Sequence, residues 1–255
     1  MCIRDRFIFA GTPSGIALSS EGGAHQSIIT PSIGIEMPNL IYYEPCFARE
    51  LEWILLAGLR NLLDRKRGKV IYLRLSTQPV DQGLFPDRAE EQRTLREHVL
   101  RGAYILVDHR ANRSYKPGEN VVHLFACGVM VPVAIEASRM LQEEGIFANV
   151  FNVTSPDLLY RGWRQAQRIR VAGSAAACHL EKLIPAGERR VPVVTVMDGH
   201  SHALSFIGGV FGVRTTCLGV DEFGQSGSRQ DLNEHYGISA SAIRRAAVEA
   251  VHVGS

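Results

Sequence analysis

Apolar residues in this chain fall into short blocks, and their spacing switches between strand and helix periods. Phe7-Ile8-Phe9-Ala10 and Gly15-Ile16-Ala17-Leu18 open the pattern, followed by the glycine turn Ser19 to Ser27. Ile28-Ile29-Thr30-Pro31 predicts a short helix or loop, and Pro38-Asn39 a break. Leu40-Ile41-Tyr42-Tyr43 has the apolar and aromatic content of a short buried strand. Pro45 suits a first helical turn, and Phe47, Leu51, Ile54, Leu55, Leu59, Leu62 and Leu63 recur at helical spacing until Gly68. Val70 to Leu75 reads as the next strand, so strand, helix and strand follow each other as in a parallel crossover unit.

From Pro79 to His98 the chain turns polar and glycine- and proline-bearing, which predicts a linker. Beyond it, Tyr104–Val107 predicts a strand, and the polar turn Ala111–Asn120 predicts a hairpin closing into Val121–Ala126. Val133, Ala134, Ala137, Met140 and Leu141 mark a helix stopped by Gly145, and Ala148–Val153 a strand. Tyr160–Arg170 predicts a helix with Trp163 on its inner side, and Ala175–Leu183 a shorter one. Val193–Met197 predicts a buried strand, followed by a helix from His200 to Val210 capped by Asp198 or Ser201. Gly219–Gly227 reads as a loop, and Ser228-Arg229-Gln230-Asp231 as a capping box for a helix ending at Gly237. Ser239 caps a last helix with Ile243, Ala246, Ala247 and Ala250 inward. The pattern describes two α/β units, the first incomplete.

Composition narrows the class. With 45% hydrophobic and 21% charged residues among 255, the chain can bury a core and is long enough for two modest domains. The 28 basic and 26 acidic side chains give a formal charge of +2 and are interspersed, which gives nucleic acid or a membrane surface no electrostatic footing. Cys2, Cys46, Cys127, Cys178 and Cys217 lack the paired spacing of a zinc site or a disulfide framework, so a reducing cytoplasm is expected. No apolar run reaches the ~20 residues of a membrane helix. Met1 to Arg6 fits neither a strand nor a helix cap, and the expectation is a foreign leader on a truncated reading frame.

Candidate chemistry centres on Ser19-Ser20-Glu21-Gly22-Gly23-Ala24-His25-Gln26-Ser27. Gly22-Gly23 frees the backbone for positive φ and close approach of a ligand, while Glu21 and His25 supply a carboxylate and an imidazole that titrates near neutrality. The alternative is an ordinary turn with a surface histidine. His200-Ser201-His202 reads as a helix terminus or subunit contact rather than a metal site, since i and i+2 histidines point apart and a carboxylate would still be needed. Asp221-Glu222 reads either as functional or as a strand end. The chain carries no Gly-x-Ser-x-Gly elbow and no Gly-Lys-Ser/Thr phosphate loop, and Gly219, Gly224 and Gly227 do not follow the dinucleotide fingerprint.

Glu21-Gly22-Gly23-Ala24-His25-Gln26-Ser27, followed by Pro38-Asn39-Leu40 and Tyr43-Glu44-Pro45, resembles the pyrimidine-binding domain of the transketolase superfamily of thiamine-diphosphate enzymes. Within it the chain is most similar to the homodimeric type of pyruvate dehydrogenase E1 component. Ala89-Glu90-Glu91, Arg101-Gly102-Ala103-Tyr104, Val150–Ser155, Leu218–Ser226 and Ser228-Arg229 agree in the same order, over residues 7 to 251. The implied fold is an incomplete pyrimidine-binding-type α/β domain (7–78), a linker (79–98) and a transketolase carboxyl-terminal-type domain (99–255) with a mainly parallel sheet flanked by helices. Superfamily members acting on sugar phosphates place an aspartate where Glu21 stands and a phosphate-gripping arginine at the strand end Ser76-Thr77-Gln78. Thr77 cannot replace a bidentate guanidinium, which argues for a small 2-oxo acid.

The resemblance implies thiamine diphosphate and Mg2+ as cofactors and decarboxylation of pyruvate, followed by reductive acylation of a lipoyl group on an E2 acyltransferase. His25 would hydrogen-bond or protonate substrate oxygens, Glu21 would hold the loop and favour the imidazolium, and Gly22 and Gly23 would lie against the cofactor. No metal ligand is assigned. The Gly-Asp-Gly to Asn motif that holds magnesium and diphosphate is absent from the 255 residues, as is the glutamate that activates the aminopyrimidine. This chain alone is therefore expected to bind the cofactor poorly and to lack E1 activity. The loop also lacks the second histidine-rich portion of many pyruvate enzymes, so 2-oxobutyrate and branched oxo acids stay open. A transketolase-type ketol transferase and a non-catalytic dimerisation and scaffold module are the competing readings.

Overall fold

A computed structural model of the chain describes residues 6–12, 14–86 and 92–252. Of the expected leader Met1–Arg6, residues 1–5, and likewise the stretch Asp87–Glu91 with its Ala89-Glu90-Glu91 match, lie outside the described residues. Two sheets organise the rest. The first contains β1 (Ile8–Gly11), β2 (Leu40–Tyr43) and β3 (Val70–Arg74), all parallel in the order β1-β3-β2. Leu40 pairs with Val70 and Tyr43 with Leu73, so the expected crossover forms around helix α2 (Ala48–Leu63).

That helix turns only part of the expected face inward: Phe47 and Ile54 are buried and Leu51 packs against the cluster around Trp53 and Ile54. Trp53, Ile54 and Gly58 are buried, whereas Leu55, Leu59 and Leu63 are exposed with Leu56. Gly58 lies on the inward side and lets the helix sit close on the sheet, where a Cβ would come within 3.1 Å of the Ile8 side chain. On the opposite face Phe9, Tyr72 and Tyr42 sit side by side across β1, β3 and β2 and stack. Helix α1 (Thr30–Glu36) covers Tyr42 through Gly34, where a Cβ would be 2.5 Å from the ring.

The polar stretch beyond Pro79 contributes more than a linker's share of core. Phe85 packs edge-on against Phe47, Trp53 and Tyr104, and Gln92–Arg101 forms a helix, α3, with Val99 buried. The second sheet has five strands, β4 (Ala103–Val107), β5 (Val121–Cys127), β6 (Phe147–Val153), β7 (Val193–Val196) and β8 (Thr215–Leu218). Their order is β4-β6-β5-β7-β8, with only β4 antiparallel. The predicted β4–β5 hairpin is therefore corrected: β4 pairs with β6, and β5 lies between β6 and β7. The sequence of β5 is buried at every position, as a central parallel strand requires, while a hairpin partner would alternate.

Helices flank this sheet: α4 (Met130–Glu143), α5 (Pro156–Val171), α6 (His179–Leu183), α7 (His202–Phe211), α8 (Arg229–His235) and α9 (Ala240–His252). Gly145 takes φ 79° just beyond α4, as the stop signal implies. Helix α5 starts four residues earlier than the apolar pattern suggests, because Ser155 accepts from Leu158 N and Pro156 occupies the first turn. Ser228 accepts from Asp231 N and Ser239 from Ala242 N, so both expected caps form. Among the described residues no helix is long and apolar enough to cross a membrane.

Candidate functional site

The loop between β1 and α1 carries the candidate residues on two 3-10 turns, Gly15–Leu18 and Gly23–His25. Glu21 N donates to Leu18 O, His25 N to Gly22 O and Gln26 N to Gly23 O, so the loop is a series of tight local turns. Gly22 has φ 88°, which a side chain would strain. The close approach at these glycines comes from the chain itself. A Cβ at Gly22 would sit 2.6 Å from Ser226 Oγ, and one at Gly23 would overlap Gly224 O. The glycine loop after β8 thus closes over the first loop, and Gly227 N donates to Ser19 O at 3.0 Å.

Glu21 and His25 are both exposed. The structure brings them onto one loop but joins them by no hydrogen bond or ion pair among the described residues. Gln26, next to them, is buried and donates through Nε2 to Leu18 O at 3.2 Å and Gln225 O at 2.9 Å, pinning the two loops together.

Behind the loop lies a buried polar junction that sequence reasoning missed. The Arg74 side chain is inaccessible at the end of β3, and all three of its guanidinium nitrogens donate hydrogen bonds. It donates through Nη1 to Glu44 Oε1 (2.6 Å), through Nε to Thr30 Oγ1 (3.1 Å), and through Nη2 to Ser27 O (2.8 Å) and Asp198 O (2.6 Å). Glu44 also accepts from the Tyr42 hydroxyl. Burial pushes Asp198 up to about 6, against the pull of Arg74. A signal existed: Arg74 and Glu44 are charges set directly against strand residues that read as buried.

Glu50 makes a second junction. Its Oε2 accepts from Cys46 N (2.7 Å) and Phe47 N (2.9 Å), and its Oε1 from Asn152 Nδ2 (2.7 Å) on β6. Complete burial raises it to about 7, partly offset by those backbone N–H groups and by Tyr104.

His200, His202 and Asp221 come together without forming a described metal centre. His200 Nδ1 lies 3.2 Å from Asp221 Oδ1 and 2.9 Å from His202 Nδ1, and His202 Nε2 lies 3.0 Å from Ser32 Oγ. Asp221 accepts from Ser201 N and Ser201 Oγ, both at 2.7 Å. Ser201 thus occupies the N-cap position of α7 as expected, but its side chain makes no cap bond and Asp221, from the loop after β8, holds it; Asp198 is not the cap and accepts from Ile16 N. Among the described residues no group of three or more His, Cys, Asp or Glu side chains could hold a metal ion.

These two sheets and their interlocked loops are those of the transketolase fold. The transketolase of Leishmania mexicana superposes with a TM-score of 0.68 at 21% identity, over 94% of this chain and 29% of that one. Residues 102–239, more than half of the chain, match the family described as Transketolase-like TK C-terminal domain, and the chain belongs to that family. Among curated proteins, the pyruvate dehydrogenase E1 component of Pseudomonas aeruginosa is 26% identical over 250 residues, covering 96% of this chain and 27% of that protein. The chromosomal transketolase of Cupriavidus necator is 29% identical over 245 residues, covering 96% of this chain and 31% of that protein. The chain thus spans less than a third of the length of these relatives.

Proposed function

We propose that this chain is part of a thiamine-diphosphate-dependent 2-oxo acid dehydrogenase E1 that acts on pyruvate and passes the acyl group to a lipoyl-bearing E2 acyltransferase, as a cytoplasmic homodimer. The similarity to pyruvate dehydrogenase E1 components supports the class. The observation that carries the choice of a small oxo acid is the state of the β3 end. Thr77 there is exposed and neutral, and the arginine nearby in sequence, Arg74, is buried with its donors already committed to Glu44, Thr30, Ser27 and Asp198. A sugar phosphate would need a free guanidinium at this place.

Thiamine diphosphate supplies the electron sink when bound. Its magnesium–diphosphate end does not fit the described residues, which offer no metal-holding group. This chain's own contribution is the loop. His25 is exposed, with neither ring nitrogen in a described hydrogen bond, so it can hold or give a proton at a substrate oxygen. Glu21 stands on the same loop, and Gly22 and Gly23 permit the packed turn that presents His25.

A ketol transferase is the second reading, favoured by the 29% identity to the Cupriavidus necator transketolase. The test is an assay with thiamine diphosphate, magnesium and an artificial electron acceptor on the polypeptide expressed with whatever coding sequence adjoins it. Pyruvate, 2-oxobutyrate and xylulose 5-phosphate are offered in parallel, the sugar phosphate with an aldose acceptor. The expected outcome is acceptor reduction with an oxo acid, lowered more in turnover than in cofactor affinity by His25→Ala. Turnover with the sugar phosphate alone selects the ketol transferase, and silence with all three selects a dimerisation scaffold.

A further inference from the structure

Asp198 lies two residues beyond β7 and is 2% exposed, yet no basic side chain forms an ion pair with its carboxylate among the described residues. Both its oxygens instead face one backbone donor, Ile16 N, at 2.9 and 3.0 Å. Ile16 stands where the 16–27 loop begins. The fit is close: Gly15 adopts φ 59°, and a Cβ there would overlap the Asp198 carboxylate. At the other end of the loop, Arg74 Nη2 donates to Ser27 O and, with the same nitrogen, to Asp198 O. The two ends of the loop are therefore tied to each other through a pair of buried residues from different sheets.

A buried carboxylate that accepts a single N–H is costly to desolvate, and a neutral acceptor would satisfy Ile16 with less penalty. What the arrangement supplies is position. We infer that Asp198 and Arg74 form a clamp that sets the placement of the 16–27 loop, which makes them positioning residues for the site that presents His25. The inference rests on the role proposed for His25. Neither residue touches a reacting atom. The clamp works by closing the loop at its base, so that Glu21, His25 and Gln26 ride on a fixed arch against the glycine loop at 219–227.

The test is native-state amide exchange on the 255-residue chain, because it separates local opening from global unfolding. Two variants attack one contact from opposite sides: Asp198→Ala removes the acceptor, and Gly15→Ala pushes the backbone off it. Both are expected to speed exchange at the amides of Glu21, His25, Gln26 and Gly227 by about tenfold, while the slow amides of β5 and β6 keep their rates. Asp198→Asn keeps an acceptor oxygen and should restore protection, which guards the test if either first variant folds poorly. Leu141→Ala, buried in α4, is the control for lost stability elsewhere. Unchanged loop amides, or a gain shared equally with β5 and β6 and with the control, would overturn the clamp. Should His25→Ala leave turnover intact, the E1 role of His25 falls while the exchange result stands.

Discussion

Arg74, Glu44, Glu50 and Asp198 show how single residues carry the junction between the two sheets. Each is a charge placed where apolar side chains would otherwise meet: Glu50 accepts from Asn152 of the second sheet, Asp198 from Ile16 of the site loop, Arg74 donates to both the loop and Asp198, and Glu44 holds Arg74. Glu50 yields a prediction with a definite sign. Its folded value of about 7 lies above the ordinary 4.5, so the native state holds the proton more tightly than the unfolded chain. Its contribution to stability is fully present below pH 4.5 and is lost as pH rises towards 7. The loss amounts to ~3 kcal/mol if only this group is counted. Urea unfolding between pH 4.5 and 8 should show a decline in the parent to which Asp198 and Asp157, both pushed up to about 6 by burial, also contribute, and Glu50→Gln, which cannot ionise, should make it shallower by the Glu50 share; an equal slope in both would place the titration elsewhere.

At the scale of elements, helices approach the sheets through glycine, and the surroundings of each glycine set the sign of its replacement. Gly208 in α7 lies against β8, where a Cβ would overlap Thr215 Oγ1. Gly208→Ala should therefore destabilise by about 1–3 kcal/mol even though alanine is the better helix former by about 1 kcal/mol. Gly162 in α5 has open space where its Cβ would be. Gly162→Ala should stabilise by up to ~1 kcal/mol. Thermal unfolding of the pair gives opposite shifts if packing decides the first site and backbone entropy the second. Helix α2 likewise meets the sheet at Gly58, with Trp53 and Ile54 inward and Leu59 and Leu63 outward.

For the whole molecule, the buried bonds across the junction couple the sheets. Glu44 N donates to Thr154 O, Ser155 Oγ to Tyr42 O and Asn152 Nδ2 to Glu50, so neither sheet can unfold without stranding polar groups of the other. The two tryptophans report one on each side, Trp53 against the first sheet and Trp163 against the second. Single-tryptophan variants, Trp53→Phe and Trp163→Phe, should give coincident urea transitions. Separate midpoints would mean that the junction does not bind the sheets into one cooperative unit.

Local signals account for much of what could be read in advance. The crossover around α2, the caps at Ser228 and Ser239 and the stop at Gly145 follow from periodicity and turn chemistry, which act within a few residues. The 19–27 stretch could likewise be picked out as a glycine turn with a carboxylate and an imidazole. Strand partners were not legible in the same way: β4 and β5 look like a hairpin because they are neighbours in sequence, and only the burial of both faces of β5 places it between β6 and β7. Nor could the sequence show that Gly22 and Gly23 receive the loop at 219–227, or that Asp198 leaves its helix cap to hold Ile16. By itself, then, the sequence determined most of the elements, though not α3 or β8, and the residues on the loop, because those depend on nearest neighbours. Tertiary structure alone decided strand order and the partners of the buried charges, because those energies arise between groups far apart in the chain.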